Sequence, residues 1–380
     1  MTNYFIGFNK KQRRVRLTED QLLRGMHVVG SSGSGKSKFL EWIMRQFVKK
    51  KQGFCFIDPH GQLYDDLVEW LAFHRIKRNI ILLNVGEGDH IKGFNPFVRM
   101  PGETSNIAVK VKQQVVYTIR AWGLENTDHT PRLERWLTNV YYVLNQKFET
   151  IRAAKYLIDF FEVEKRAYLT SELGESMIEN EWKALGLART TKQFHEEIES
   201  TKNKLRRFLM TPQVERSMGL RTDNIDIKQC MDEGTIVLVN LAESGDFMHE
   251  EARLFGALLV NEFFHQAKRR KPNRLGKIKP YFLILDEFQE FVTSDIARIM
   301  DQTRKFGLRA ILSHQRLNQV EEEFPDVFDA ILTNIRNRAI FGGLPYNSAL
   351  KMVDNAFVNQ LDLKEIKNSI FQTKFWPKYS

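Results

Sequence analysis

The stretch Gly30-Ser31-Ser32-Gly33-Ser34-Gly35-Lys36-Ser37 follows a short apolar run, Met26-His27-Val28-Val29. It meets G-x-x-x-x-G-K-[ST] at every fixed position: Gly30, Gly35, Lys36 and Ser37. Glycines in such a loop let successive backbone N–H groups point into one concavity around phosphates. Lys36 is then placed for the β- and γ-phosphates, and the Ser37 hydroxyl for Mg²⁺. The expected nucleotide-binding set is Gly30, Ser31, Ser32, Gly33, Ser34, Gly35, Lys36, Ser37 and Lys38, with ATP and Mg²⁺ as cofactors. An accidental glycine-serine turn would need no strand before it and no helix after it. Here both are read, because Phe39, Leu40, Ile43, Met44 and Phe47 follow at helical spacing.

Working outward, the charged turn from Lys49 to Gly53 ends that helix, and Phe54-Cys55-Phe56-Ile57 reads as a buried strand. The unit is βαβ, with parallel pairing expected between its two strands. A helix over about Gln62 to Phe73 leads to a strand at Ile80 to Asn84. From about Arg99 to Cys230 the pattern is almost wholly helical, with Trp122, Trp136, Tyr141, Tyr142, Phe160 and Phe161 expected in the core and Glu196 to Arg207 on the surface. Strand signals return at Thr235 to Leu241. An amphipathic helix over about Glu250 to Arg270, a basic loop and the apolar run Tyr281 to Leu285 come next, with further strands at Arg309 to Ser313 and Arg338 to Phe341. The fold class expected is α/β: a P-loop NTPase (RecA-like), with a mostly parallel sheet, helices on both faces and an all-helical insertion. The division is 1–98 and 231–380 for the ATPase domain and 99–230 for the insertion.

Across the 380 residues, Lys plus Arg (57) exceed Asp plus Glu (47) by ten. The excess clusters at Lys10 to Arg16, Lys49 to Lys51 and Lys268 to Lys279, which suits a polyanionic partner, nucleic acid above all. Taken singly, each cluster also reads as a solvated face. Two cysteines, Cys55 and Cys230, make no disulfide framework. No signal-peptide core and no bilayer-length apolar stretch is evident, so a soluble, cytoplasmic protein without an integral membrane segment is expected.

Leu283-Ile284-Leu285-Asp286-Glu287 supplies the second piece of chemistry. An acid at the tip of a buried strand, expected beside the strand that carries the glycine loop, holds Mg²⁺, and Glu287 polarises the attacking water. The metal set is thus Ser37 and Asp286, and the second acid favours hydrolysis over transfer to a small molecule.

Together the residues resemble the HerA/FtsK superfamily of ring-forming P-loop ATPases, and within it conjugative coupling proteins (TraD/TraG-like, type IV secretion) and HerA-like DNA translocases. The motifs are His27-Val28-Val29-Gly30, Ile57-Asp58-Pro59-His60-Gly61, Phe94-Asn95-Pro96, Gly234 to Leu241, Leu285-Asp286-Glu287-Phe288, Arg304-Lys305-Phe306-Gly307 and Ser313-His314-Gln315. The resemblance implies that Gln315 is a γ-phosphate sensor, an amide able to bond phosphate or water without changing charge. It implies that Arg304 is an arginine finger reaching a neighbouring subunit's nucleotide. Arg336 and Arg338 are rival fingers, and a solvated helix arginine is the other reading of Arg304. Asp58 and His60 belong near the site, though turn chemistry alone explains them. With the glycine loop starting at residue 30, neither the anchor of coupling proteins nor the HerA barrel is expected ahead of it, and a short tail is expected after Phe375-Trp376-Pro377.

The catalytic set is therefore Lys36, Glu287, Gln315 and Arg304. The function implied is a homo-hexameric motor that pumps DNA through sequence-independent backbone contacts, with Lys268 to Lys279 one candidate gripping surface. The alternative is an ATPase that recruits or moves a protein or nucleoprotein cargo, a relaxase or secretion-system protein, or that regulates a partner nuclease.

Overall fold

The computed structural model describes residues 3–87, 92–98, 106–123, 131–174, 176–245, 247–274, 276–291, 304–315, 320–322 and 325–357. Strands β1 (Asn3–Phe8) and β2 (Arg14–Thr18) form an antiparallel hairpin ahead of the glycine loop. The short helix α1 (Glu19–Leu22) is started by a reciprocal cap between Thr18 and Gln21. Next come β3 (Met26–Val29), α2 (Lys36–Lys49), β4 (Gly53–Asp58), α3 (Gln62–Phe73) and β5 (Ile80–Asn84). Eight helices follow among the described residues: α4 (Ile107–Ala121), α5 (Pro131–Gln146), α6 (Ala154–Ile158), α7 (Val163–Thr170), α8 (Ser176–Gly186), α9 (Thr191–Leu209), α10 (Pro212–Met218) and α11 (Ile227–Glu233). The chain then returns through β6 (Ile236–Asn240), α12 (His249–Lys268), β7 (Tyr281–Leu285), β8 (Leu308–His314) and β9 (Asn337–Ile340).

β3 to β9 form one seven-stranded sheet in the order β5-β6-β4-β7-β8-β3-β9, and every pair is parallel. β4, β6 and β7 are buried along their whole length because helices cover both faces. In β4, Cys55 and Ile57 face one apolar cluster and Phe54 and Phe56 the other, as the two-residue period requires. The second cluster is closed by α2 and α3. The first runs without a break from the sheet through α12 into the helices between β5 and β6.

Four expectations are corrected. The strands flanking α2 are parallel but not neighbours, since β8 and β7 lie between β3 and β4. Likewise the Asp286 strand does not adjoin the loop strand; β8, which leads to Gln315, separates them. Local alternation fixes strand direction but not which later strands slot between. Phe161 is 81% exposed rather than in the core, because its neighbour Phe160 takes the inward place against Phe194 at 5.6 Å between ring centroids. Trp122, Trp136 and Tyr141 are buried, and Tyr142 and Phe160 are partly buried. Finally, α12 is buried on nearly every side rather than amphipathic, because it is sandwiched between the sheet and α4.

Candidate nucleotide site

β3 ends at Val29, and the loop from Gly30 reaches α2 through two left-handed glycines, Gly33 (φ 72°) and Gly35 (φ 103°). That backbone is available to glycine without the Cβ penalty. Gly35 caps α2 with no side-chain bond, which leaves the first-turn N–H groups of the helix for an anion. Lys36 is 5% exposed, and its ammonium donates to the carbonyls of Gly30 at 2.8 Å and Ser31 at 3.0 Å. The Ser34 hydroxyl is buried with no hydrogen-bond partner among the described residues.

The chain beyond β9 braces the loop from behind. The Phe341 amide donates to the Val29 carbonyl at 2.7 Å, and the Ser31 amide and hydroxyl both donate to the Gly342 carbonyl, at 3.2 and 3.1 Å. A Cβ at Gly30 would lie 2.5 Å from the Phe341 Cβ, so the close approach requires glycine there.

Asp286 and Glu287 follow β7, and both are buried. Burial pushes the Asp286 carboxyl up to about 6; the Ser313 hydroxyl opposes this, and the charges of Glu287 and Asp58 add to it. Carboxylate and hydroxyl oxygens are the donor chemistry a hard divalent ion takes. Glu287 sits in the left-handed region (φ 42°, ψ 55°), a strained conformation for a residue with a side chain. Its Oε2 accepts from the Gln289 amide at 2.8 Å.

Lys36, Ser37, Glu287 and Gln315 line one cleft of about 410 Å³, together with Ser32, Gly33, Gly35 and His60. The orphan Ser34 hydroxyl, the ammonium resting on two carbonyls and the acid pair fit Mg²⁺-nucleotide. Lys38 also borders the cleft, but its side chain turns to Asp66 (2.7 Å) and Glu41 (3.0 Å) and so serves the surface of α2 and α3.

The Asp-Pro-His-Gly turn acquires a structural account. One Asp58 oxygen accepts from the His60 amide and the other from the Tyr64 amide, both at 2.9 Å, which caps α3 and presents His60 to the cleft. Arg304 starts a single helical turn, and its side chain lies outside the described residues, as do Phe375-Trp376-Pro377. Of its rivals, Arg338 donates to the Leu332 carbonyl at 2.6 Å within its own chain.

Two features escaped the reading of the sequence. His27 and His314 meet beneath the site, on β3 and β8; each was quoted inside a motif, but only the sheet order makes them neighbours. The β1–β2 hairpin went unread, although Tyr4, Phe5, Ile6 and Phe8 interleaved with a basic turn was a signal.

Comparison with known proteins agrees with this architecture. Residues 5–263 match the family described as "Helicase HerA, central domain", and residues 280–356 match "TraM recognition site of TraD and TraG". Among curated proteins, none matches the chain. Among solved structures, the unbound bacterial conjugative coupling protein TrwBdeltaN70 superposes with a TM-score of 0.56 at 16% identity, over 85% of this chain and 70% of that one. The plasmid coupling protein TrwB in complex with ADP and Mg²⁺ gives 0.55 at 15% identity, over 89% and 78%. VirB4 of Thermoanaerobacter pseudethanolicus gives 0.53 at 11% identity, over 93% and 87%. These likenesses establish the fold. With the glycine loop, the acid pair and the family match over 5–263 in one chain, the protein belongs to the HerA central-domain family.

Proposed function

We propose that this chain is an ATP-hydrolysing motor that assembles as a ring, a homo-hexamer, and moves DNA. The observation that carries the reading is the convergence of Lys36, Ser37, Glu287 and Gln315 on one cleft at the carboxyl ends of parallel strands. In that cleft Lys36 and the first-turn amides of α2 bind phosphate oxygens, while Ser37 and Asp286 are the residues that would hold Mg²⁺. Bound Mg²⁺ supplies charge neutralisation at the phosphates. Glu287, steadied by Gln289, takes the proton of the attacking water, and Gln315 orients that water or a phosphate oxygen. Arg304 completes a neighbouring subunit's site, the role its family resemblance implies.

The test is steady-state ATP hydrolysis with and without single- and double-stranded DNA at two salt concentrations. Stimulation by DNA that fades with salt, and is lost in Lys36→Ala and Glu287→Gln, is expected. Hydrolysis indifferent to DNA under all conditions would refute the motor reading. A second reading, an ATPase that recruits a protein or nucleoprotein cargo, draws on the match of residues 280–356 to a segment named for recognition of TraM. Under that reading partner protein, not DNA, stimulates hydrolysis.

A further inference from the structure

The amino-terminal hairpin holds a surface that the ATPase reading does not use. Register pairs Phe5 with Arg16 and Phe8 with Arg14, and residues directly opposite in an antiparallel pair share a face. An irregularity between Phe5 and Gly7 brings Phe8 onto the face of Phe5, where their rings meet edge to face at 5.1 Å. Trp42 of α2 joins them at 6.0 Å from Phe5. Phe8 is 58% exposed and Trp42 41%. Tyr4, by contrast, is buried against Phe47. One face of the hairpin therefore anchors it to the core while the other presents aromatic rings and guanidinium groups in alternation.

Lys10, Lys11 and Arg13 stand exposed in the turn at the tip, and none of the five basic side chains from Lys10 to Arg16 forms an ion pair among the described residues. Lys50 flanks the patch from the anchoring side: it lies over the Tyr4 ring at 4.1 Å, and burial first, then the nearby Arg16 charge, push its ammonium down. Glu19, the first residue of α1, lies near enough to oppose that push on Lys50, and Asp20 follows it in the same helix.

The surface is fixed to the helix that begins at Lys36. Gln46 clamps Phe5 by accepting from its amide and donating to its carbonyl, each at 2.8 Å, and the Trp42 indole donates to the same carbonyl at 2.8 Å. The indole N–H is thus already used.

We infer that this face binds single-stranded nucleic acid, its bases stacking on Phe8 and Trp42 and its phosphates meeting Arg14, Arg16 and the lysines at the tip. Sequence-tolerant single-strand sites combine these two elements, aromatic platforms and a basic track. A duplex buries its base faces and could use only the charges. An anionic membrane is disfavoured because the tip, Asn9 to Arg13, is wholly polar and offers no apolar wedge. The inference rests on the motor reading and adds the strand form and the contact surface, tied to the P-loop helix through Gln46 and Trp42.

The experiment is fluorescence anisotropy of a dye-labelled mixed-sequence oligonucleotide, single-stranded and as its duplex, with the full chain at two salt concentrations. Phe8→Ala is expected to weaken single-strand binding about 10-fold and duplex binding less than about 2-fold. Arg14→Ala with Arg16→Ala weakens both and lowers the salt slope by about 2. Circular dichroism checks that the variants stay folded, as their exposure predicts. Unchanged single-strand affinity in both variants, with wild type binding, overturns the inference and leaves the motor reading intact. Preferential co-sedimentation of wild type with phosphatidylserine vesicles overturns it in favour of a membrane, and a changed particle mass in Phe8→Ala overturns it in favour of a second copy. A wild-type chain that binds no nucleic acid, and whose ATP hydrolysis ignores it, defeats both readings.

Discussion

His27 Nε2 lies 2.6 Å from His314 Nε2, with the two rings stacked and Phe288 edge-on to His314 at 5.0 Å. The contact joins the strand entering the glycine loop, the strand that leads to Gln315 and the residue after Glu287. One nitrogen carries the shared hydrogen and the other accepts it, so the pair holds together only with at least one neutral ring. Burial, then the charges of His314 on β8 and Arg338 on β9, hold the His27 pKa well below its usual 6.5. Below that pH the unfolded chain binds a proton that the folded chain refuses. Stability is therefore complete above about pH 6.5 and falls beneath it by up to about 1.4 kcal/mol per pH unit for one such group. Urea unfolding between pH 7.5 and 5.5 should show this slope, and His27→Leu should flatten it. Parallel curves for the two proteins would show that His27 is not the responsible group.

The brace behind the glycine loop has its own signature. Gly343 has φ 80°, and a Cβ there would stand 2.1 Å from the Ser31 hydroxyl. Gly343→Ala costs about 1–2 kcal/mol in the left-handed backbone alone, and the clash displaces Ser31 from the Gly342 carbonyl. Fluorescent-nucleotide binding should weaken about 10-fold, a loss of about 1.4 kcal/mol. Adding Ser31→Gly should recover part of it, since the clash goes and the backbone strain stays. Full affinity in Gly343→Ala would mean that the brace does not shape the loop.

Much of this site was legible because phosphate loops and strand-tip acids are local in sequence. Gly30 to Ser37, Asp286, Glu287 and Gln315 each sit where a strand ends, and a strand's carboxyl end can be read from a few residues. Sheet order could not be read in the same way. Both β8 and β7 intervene between β3 and β4, a relation set by packing across segments separated by the whole helical region. The His27–His314 contact depends on that order, so neither histidine alone signalled it. Arg270 was obscured for a different reason: inside Lys268 to Lys279 it looks like one more surface charge.

In the structure Arg270 is 3% exposed. It reaches Asp232 at 2.8 Å and the carbonyls of Lys279 (2.6 Å), Met231 (3.2 Å) and Phe306 (3.2 Å). It thereby ties the end of α11 to the segments entering β7 and β8. Arg270→Met removes the donor from three carbonyls, while Asp232, partly exposed, keeps Lys228 at 2.8 Å. The change should cost about 1–3 kcal/mol of unfolding free energy. Lys271→Met, on an exposed side chain of the same loop, should change stability by less than about 0.5 kcal/mol. Equal effects in chemical denaturation would return Arg270 to the solvated surface.

At the start of α12, His249 Nε2 stands 3.2 Å from a Glu290 oxygen. The Glu290 contact raises the His249 pKa above 6.5 against burial and Arg253, and although burial alone would raise Glu290, His249 draws it below 4.5. A raised histidine contributes stability below about pH 6.5 and loses it as pH climbs through the folded value. A lowered glutamate contributes above about pH 4.5 and loses it as pH falls through its own folded value. The two contributions overlap between those limits. The thermal midpoint of wild type should therefore exceed that of His249→Gln most clearly near pH 5.5, and the gap should close by pH 8.5. A gap that persists undiminished at pH 8.5 would assign the effect to packing at the helix start instead of charge.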